Sequence, residues 1–361
     1  MVARLRNHPT PRIGSELVTG RANDHEPHEH RQGAVSSTGQ QILEILRTAP
    51  GAMSGPELAE RVSVSRAAVW KHVRRLIAEG YHISANKAAG YRFEDRSPRL
   101  LPAEITRQLT TSRIGRVIHH FDTIDSTNHW AMELARQGAA EGEVVIAEAQ
   151  SAGRGRLGRS FFSPAGKSFY GSIILRPEIP PARAPQITLV AGVAAAETLE
   201  RHAFTRPGLK WPNDVRLGPR KVVGILTEME AEADRVLHVV CGIGVNLNVP
   251  AAEFPRELRE IATSVLAATG RRVDRAAFAA DLFRSFERLY DEFLRSGLER
   301  LRERWDSYSI LTGEEVRVEG SGEVLSGRVL GIDGDGALRL ETESGEVVRA
   351  IAGDVTLKRK A

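Results

Sequence analysis

The run Gly153-Arg154-Gly155-Arg156-Leu157-Gly158-Arg159 interleaves glycine with cations, a pairing with a chemical use. Glycine lets the backbone close over a bound group, while guanidinium forks neutralise phosphate or carboxylate oxygens through charge-assisted hydrogen bonds. The loop suits an anionic ligand, and taken alone it suits RNA or a plain flexible basic turn equally well. It lacks the Gly-Lys-Ser/Thr ending of a phosphate-cradling P-loop, so that mode of ATP binding is not expected. Farther on, Lys210-Trp211-Pro212-Asn213-Asp214 sets a cation, an amide and a carboxylate close together, and Lys221-Val222-Val223-Gly224-Ile225-Leu226 adds a lysine leading into a strand. Such a group could hold a carboxylate, a phosphate and Mg²⁺ together. Singly, each part also has a structural explanation: Trp211 and Pro212 pack a turn, and Lys221 is a solvated strand entry.

Two weaker signals flank these. In Gly242-Ile243-Gly244-Val245-Asn246-Leu247-Asn248 an apolar run ends in glycines that permit close approach of a flat ligand, or simply close packing, with an asparagine able to hydrogen-bond. Asp125-Ser126-Thr127-Asn128 reads as a helix N-cap. The same residues could present hydroxyl and amide groups to a neutral polar ring such as a ureido group.

The elements that must position these residues form a mixed sheet with helices packed on it. Strands are expected over Val117 to Ile124, Glu143 to Ala149, Ser168 to Leu175, Lys210 to Leu217, Lys221 to Glu230 and Val236 to Val249. Helices are expected over Pro102 to Thr111, Thr127 to Gln137, Gln186 to His202 and, in long amphipathic form, Val273 to Trp305. Beyond Thr312 short strands alternate with Gly-rich turns, which reads as a small separate β-barrel.

Ahead of this body, Ile42, Ile45 and Leu46 share one helical face, and Ser54-Gly55-Pro56-Glu57 is a capping box with proline just inside a second helix. Ser65 is a natural N-cap for a third helix to about Glu79, burying Val69, Val73, Leu76 and Ile77 while Arg66, Lys71, His72, Arg74 and Arg75 face outward. Apolar segments at Tyr81 to Ile83 and Tyr91 to Phe93 then form a two-stranded wing. This is a winged helix-turn-helix, in which Ser65, Arg66, Lys71, His72, Arg74 and Arg75 form the expected DNA-binding edge; such a head can also serve protein contacts. A single head binds weakly, so paired heads of a homodimer are expected on operator DNA. Residues up to about Ser37 have no apolar periodicity and read as a disordered extension, in which His25, His28 and His30 lack a scaffold for a metal site.

Composition limits the setting. Lys plus Arg number 50 against 46 Asp plus Glu, a formal charge of +4, so the excess alone argues for no polyanionic partner. Cys241 is the single cysteine; it can form no internal disulfide, which fits a cytoplasmic, reducing setting. No stretch approaches the roughly 18 to 20 apolar residues that span a bilayer, so no membrane association is expected.

Taken together and in order, the Asp-Ser-Thr-Asn turn, the glycine-arginine loop, Lys-Trp-Pro-Asn-Asp, Lys-Val-Val-Gly-Ile-Leu and Gly-Ile-Gly-Val-Asn-Leu-Asn resemble the motif set of biotin protein ligases. With the head in front and the barrel behind, the chain from about residue 38 to its end resembles the bifunctional biotin ligases that are also biotin operon repressors. The resemblance implies an α+β multidomain protein: an extension (1–37), a winged helix-turn-helix (38–97), a central sheet like that of class II aminoacyl-tRNA synthetases (98–312) and an SH3-like barrel (313–361). It implies ATP, biotin and Mg²⁺ as ligands, biotinoyl-AMP as intermediate and corepressor, and as partners a biotin carboxyl carrier protein, operator DNA and a second copy when adenylate is bound.

By the same resemblance, Ser126, Thr127, Asn128 and Gln150 contact biotin, with Gly153, Arg154, Gly155 and Arg156 folding over it and Gly224, Gly242 and Gly244 leaving it room. Lys221 meets the biotin carboxylate and then the adenylate. Arg154, Arg156, Arg159, Lys210, Asn213, Asp214, Asn246 and Lys358 serve the nucleotide, with Arg156, Lys221 and Asp214 in catalytic roles. Leu157 and Lys358 stand where arginines are common in the family, which lowers the charge around the intermediate. Lipoate ligases are the neighbouring enzyme reading, and a winged-helix protein whose body only senses a ligand is the non-enzymatic one; two lysines and a double-arginine loop are more than a sensor needs.

Overall fold

The computed structural model describes residues 37–78, 80–86, 89–95, 99–320 and 324–357; the N-terminal extension and Lys358 lie outside them. The helical spacing at the start folds as α1 (Ser37–Thr48), α2 (Gly55–Arg61) and α3 (Arg66–Ala78), followed by the hairpin β1 (His82–Asn86) and β2 (Gly90–Asp95). Both caps form as the residue types dictate: Ser54 Oγ accepts from Glu57 N at 3.3 Å and Ser65 Oγ from Ala68 N at 3.2 Å. Ile42, Leu46, Leu58, Val69, Val73, Leu76 and Ile83 close a core belonging to this head. Ile77, expected inside, is 40% exposed, because it sits one position past Leu76 and so rotates off the buried stripe.

The connecting helix α4 is shorter than expected, Pro102–Thr106 rather than to Thr111. The body then runs β3 (Ile118–Ile124), α5 (Thr127–Arg136), β4 (Val144–Gln150), β5 (Phe169–Leu175), α6 (Gln186–Ala203), β6 (Gly208–Lys210), β7 (Asp214–Leu217), β8 (Arg220–Ala231), β9 (Val236–Val245), α7 (Val265–Thr269), α8 (Arg275–Ser296) and α9 (Glu299–Tyr308). Its seven strands lie in the order β3-β4-β5-β9-β8-β7-β6, with β3 and β4 parallel and the other neighbours antiparallel. The expected single strand from Lys210 to Leu217 is instead a hairpin, β6 against β7, turning at the cis Trp211–Pro212 bond. The expected strand to Val249 stops at Val245.

α6 is apolar nearly all round because it is enclosed between the sheet and α8. α5 covers the opposite face, packing Ala131 and Ala135 with Phe121, Val145, Ile174 and Val240. Asp274 starts α8 by accepting from Ala276 N and Ala277 N at 3.0 and 3.2 Å, and Gly297, at φ +67°, ends it.

The final strands, β10 (Glu315–Glu319), β11 (Val324–Ile332), β12 (Leu338–Glu341), β13 (Val347–Ala350) and β14 (Asp354–Leu357), form one antiparallel sheet in the order β13-β12-β11-β10-β14. Their inward residues Val316, Val318, Val329, Leu338, Leu340 and Val355 join the apolar core of the body. Trp211 Nε1 also donates to Gly336 O at 2.9 Å. Arg47 pairs with Glu104 across from the head to the body, and the segment that enters the body is anchored by Arg99 with Asp122 and by Leu100 N donating to the buried Glu148.

Candidate functional site

Strand register decides the shape of the site. Gly224 on β8 lies directly across from Gly244 on β9, while Gly242 pairs with Leu226 on one side and with Ser172 of β5 on the other. Because alternate residues of a strand face the same way, these three glycines share one face of the sheet and leave a trough between bulkier neighbours. A Cβ at Gly242 would fall on the side-chain oxygen of Asn128, and one at Gly244 would come within 2.7 Å of the Phe161 ring.

The trough belongs to an open cleft. It brings together Ser126, Thr127, Asn128, Gln150, Arg154, Gly155, Arg156, Asn213, Lys221, Gly224, Gly242 and Gly244, all marked by the sequence. One end is a polar cluster at the start of α5. Gln150 Oε1 accepts from Thr127 N and Oγ1 at 2.9 and 3.1 Å, and Ser172 Oγ donates toward Thr127 Oγ1 at 2.8 Å and Asn128 Oδ1 at 2.6 Å. Asn128 Nδ2 in turn donates to Glu228 Oε2 at 2.8 Å and Leu226 O at 3.1 Å. Thr127 and Asn128 are 4% exposed, so a group reaching them meets fixed donors and acceptors out of bulk water. Ser126 occupies the N-cap position, yet its side chain caps no backbone N–H.

The other end is cationic. Lys221 Nζ lies 2.6 Å from Asp214 Oδ1. The glycine-arginine run is closed at its base by Phe161 N donating to Gly153 O at 2.8 Å and by an antiparallel bridge between Arg154 and Ser160. A Cβ at Gly153 would meet Phe161 O at 2.7 Å. From the loop, Arg156 Nη1 reaches Asn213 Oδ1 and Gly353 O, both at 3.4 Å, and Arg154 lies 3.7 Å from Glu228. Leu157 stands at the tip, left-handed at φ +55° and 74% exposed.

Other residues singled out from the sequence lie around the cleft, outside its lining. Arg159 pairs with Asp354 of the C-terminal sheet. Burial lowers the Lys210 pKa, and Arg216 adds to the shift, so this ammonium ion is primed to gain from an anionic neighbour. Asn246 is 3% exposed and its Oδ1 has no hydrogen-bond partner. Phe161, Tyr170, Ser172 and Glu228 were missed. Glu228 was legible as the residue two strand positions beyond Leu226 on the face of Gly224; Phe161 and Ser172 needed the tertiary register.

On the head, Arg66, Lys71, Arg74 and Arg75 are exposed along α3 and His72 is half-buried. Among the described residues no cluster of three or more His, Cys, Asp or Glu side chains is placed to hold a metal, and no helix is long and apolar enough to cross a membrane.

Residues 120–246 match the Biotin/lipoate A/B protein ligase family, residues 39–92 an HTH domain and residues 311–358 the Biotin protein ligase C terminal domain. The chain is 39% identical to the Bifunctional ligase/repressor BirA of Bacillus subtilis (strain 168), over 84% of this chain and 94% of that one. It is 32% identical to the protein of the same name from Escherichia coli (strain K12), over 84% and 92%. Among solved structures, the biotin protein ligase from Aquifex aeolicus in complex with biotin and ATP matches 68% of this chain and all of its own length, with a TM-score of 0.59 and 28% identity.

Proposed function

Since the chain belongs to the bifunctional ligase/repressor branch of the biotin protein ligases, we propose that it joins biotin to ATP and passes the biotinoyl group to a lysine of a biotin carboxyl carrier domain. The observation that carries this reading is one cleft with a fixed polar cluster at one end, a glycine trough between, and Lys221 and Arg156 at the other. Those ends match a ureido ring and a carboxylate separated by an apolar chain. A carboxylate oxygen of biotin attacks the α-phosphorus of ATP, an O–P bond forms, and pyrophosphate leaves. The amine of the acceptor lysine then attacks the acyl carbon, forming the amide, releasing AMP and giving up a proton to solvent.

In this scheme Ser126, Thr127, Asn128 and Gln150 hold the ureido ring. Lys221 exchanges its contact with Asp214 for the biotin carboxylate and then the adenylate, so the repulsion between carboxylate and triphosphate is screened. Gly153, Arg154, Gly155 and Arg156 close over the intermediate. Arg159, Lys210, Asn213, Asn246 and Lys358 serve the nucleotide. Mg²⁺ would come with the triphosphate, which needs only one or two protein carboxylates, and Asp214 lies beside Lys221 at the cationic end. The dithiolane of lipoate offers this polar cluster no N–H or carbonyl partner, which disfavours it against a ureido ring.

The proposed division is 38–97, 98–312 and 313–361 behind an extension of 1–37, with the body akin to class II synthetases and the last sheet to an SH3-like barrel. The proposed setting is the cytoplasm. We further propose that the head binds operator DNA as a biotin-responsive repressor through Arg66 and the other outward cations of α3, with biotinoyl-AMP favouring a homodimer. β7 covers β8 only as far as Gly224, so the outer edge from Thr227 to Ala231 is an edge that a second copy can extend.

The test of the enzyme is incubation of the purified protein with ATP, Mg²⁺, biotin and a carrier domain, with lipoate in a parallel tube. One biotin per acceptor on a single lysine is expected; transfer of lipoate alone, or of neither, overturns the proposal.

A further inference from the structure

Trp70 lies in the second turn of α3 with 56% of its surface exposed, although indole is among the side chains that gain most from burial. It is no overflow of the core, since Val69, Val73 and Leu76 form the buried stripe and Trp70, one position past Val69, is turned about 100° around the helix from that residue. Ala67, Trp70 and Arg74 follow one another at helical spacing along the outer face, all exposed. Arg66, Lys71 and Arg75 flank them, exposed as well. The Arg74 guanidinium carbon sits 5.4 Å from the centre of the Trp70 ring, a distance at which the π-face holds a cation.

A face of this charge selects a polyanion, and the flanking cations suffice for phosphates. An uncharged ring within this face adds nothing to phosphate neutralisation. When a recognition helix lies in the major groove the outer residues of its first turns, here Ala67 and Trp70, meet base edges, and the apolar feature displayed there is the 5-methyl group of thymine. We infer that Trp70, with Ala67 one turn earlier, packs on thymine methyl groups in the major groove, making Trp70 a residue that sets the DNA sequence preferred by the head. The ring also fixes the direction of Arg74. This inference rests on the DNA-binding reading above and specifies what that head recognises.

The test uses the full chain with ATP, Mg²⁺ and biotin to select binders from a pool of random duplexes. The selected duplex is then resynthesised with deoxyuridine replacing thymidine at one position at a time. In the parent, loss of one methyl in each half-site should weaken binding roughly three- to tenfold. Trp70→Ala should bind the thymidine and deoxyuridine duplexes equally at that position, with an unchanged dependence on salt concentration, and Trp70→Phe should retain part of the discrimination. Circular dichroism and thermal unfolding of both variants should match those of the parent, which checks folding of the head, and ligase activity should be unchanged. If Trp70→Ala keeps the parental discrimination, or no methyl matters to the parent, the inference fails while DNA binding stands. If Trp70→Ala weakens both duplexes equally and changes self-association, the ring packs on a second copy and the inference is likewise overturned. If the parent selects no duplex, the DNA-binding reading falls and takes the inference with it.

Discussion

Lys221 and Gly242 mark the two ends of the cleft, one through charge and the other through the lack of a side chain. Lys221 enters β8 beside Asp214, 2.6 Å away, and the backbone of the strand does not depend on its ammonium group. Lys221→Ala should therefore lower biotin-dependent pyrophosphate release by roughly 100-fold or more, the loss expected for one charge stabiliser, with an unchanged melting temperature. Near-parental release would remove Lys221 from the chemistry. Gly242→Ala acts by volume. Its methyl group would displace Asn128, which is pinned by Ser172, Leu226 and Glu228. Overpacking of this kind costs about 1–3 kcal/mol, so the KM for biotin should rise roughly tenfold or more while that for ATP changes little. An equal rise in both would place the polar cluster away from biotin.

Elements carry these residues, and two of them have consequences of their own. The glycine-arginine loop closes at its base through Gly153 and Phe161 and reaches Asn213 and Gly353 through Arg156. Arg156→Gly should leave adenylation possible but free the adenylate, so unrelated proteins added to the mixture should become biotinylated, as read by streptavidin blot. An inactive variant, or one as selective as the parent, would count against a closing loop. Strand β4 carries Gln150 into the cleft and, two residues earlier, Glu148 against the segment that enters the body, where Leu100 N donates to it. Burial opposes the Glu148 charge, but His120, the Arg275 guanidinium and the Leu100 amide outweigh it and hold the pKa at about 2, against an ordinary 4.5. A depressed carboxyl pKa gives stability that is fully present above 4.5 and fades as pH falls toward 2, here about 3 kcal/mol at most. Glu148→Gln should thus be less stable than the parent at pH 7 in urea unfolding, and the gap should narrow between pH 4.5 and 2. A gap that stays constant with pH would show that Glu148 does not titrate in the fold as described.

For the whole molecule, the head keeps its own core while the body and the C-terminal sheet share one. Every proposed biotin and ATP group lies beyond Pro98. Removing residues through Arg96 should abolish operator binding in gel shifts yet leave much of the ligase activity. With the full chain, adenylate should shift sedimentation toward dimer and strengthen DNA binding together, because a ligand moves an equilibrium only by binding one state more tightly. Equal DNA binding with and without adenylate, or a monomer in both states, would separate the head from the enzyme.

Local rules made much of this protein legible from its sequence. Hydrophobic period, Ser54 and Ser65 as caps, and glycines at turns act over a few residues, so the helices of the head and most strands of the body fall where expected within a residue or two. The site residues named from the sequence also include twelve that line the cleft. Where local signals were incomplete the boundaries slipped: the Lys210–Leu217 strand became a hairpin, α4 ended early, and Ile77 turned to solvent. Tertiary structure alone decided that Gly224, Gly242 and Gly244 share a face, since that depends on the pairing register of strands far apart in sequence. It also set Phe161 over the trough, Ser172 behind Thr127 and Asn128, and the C-terminal strands on the core of the body. A sequence records which side chain can make a contact; which partner stands opposite is fixed only when separate segments bury their apolar faces against one another.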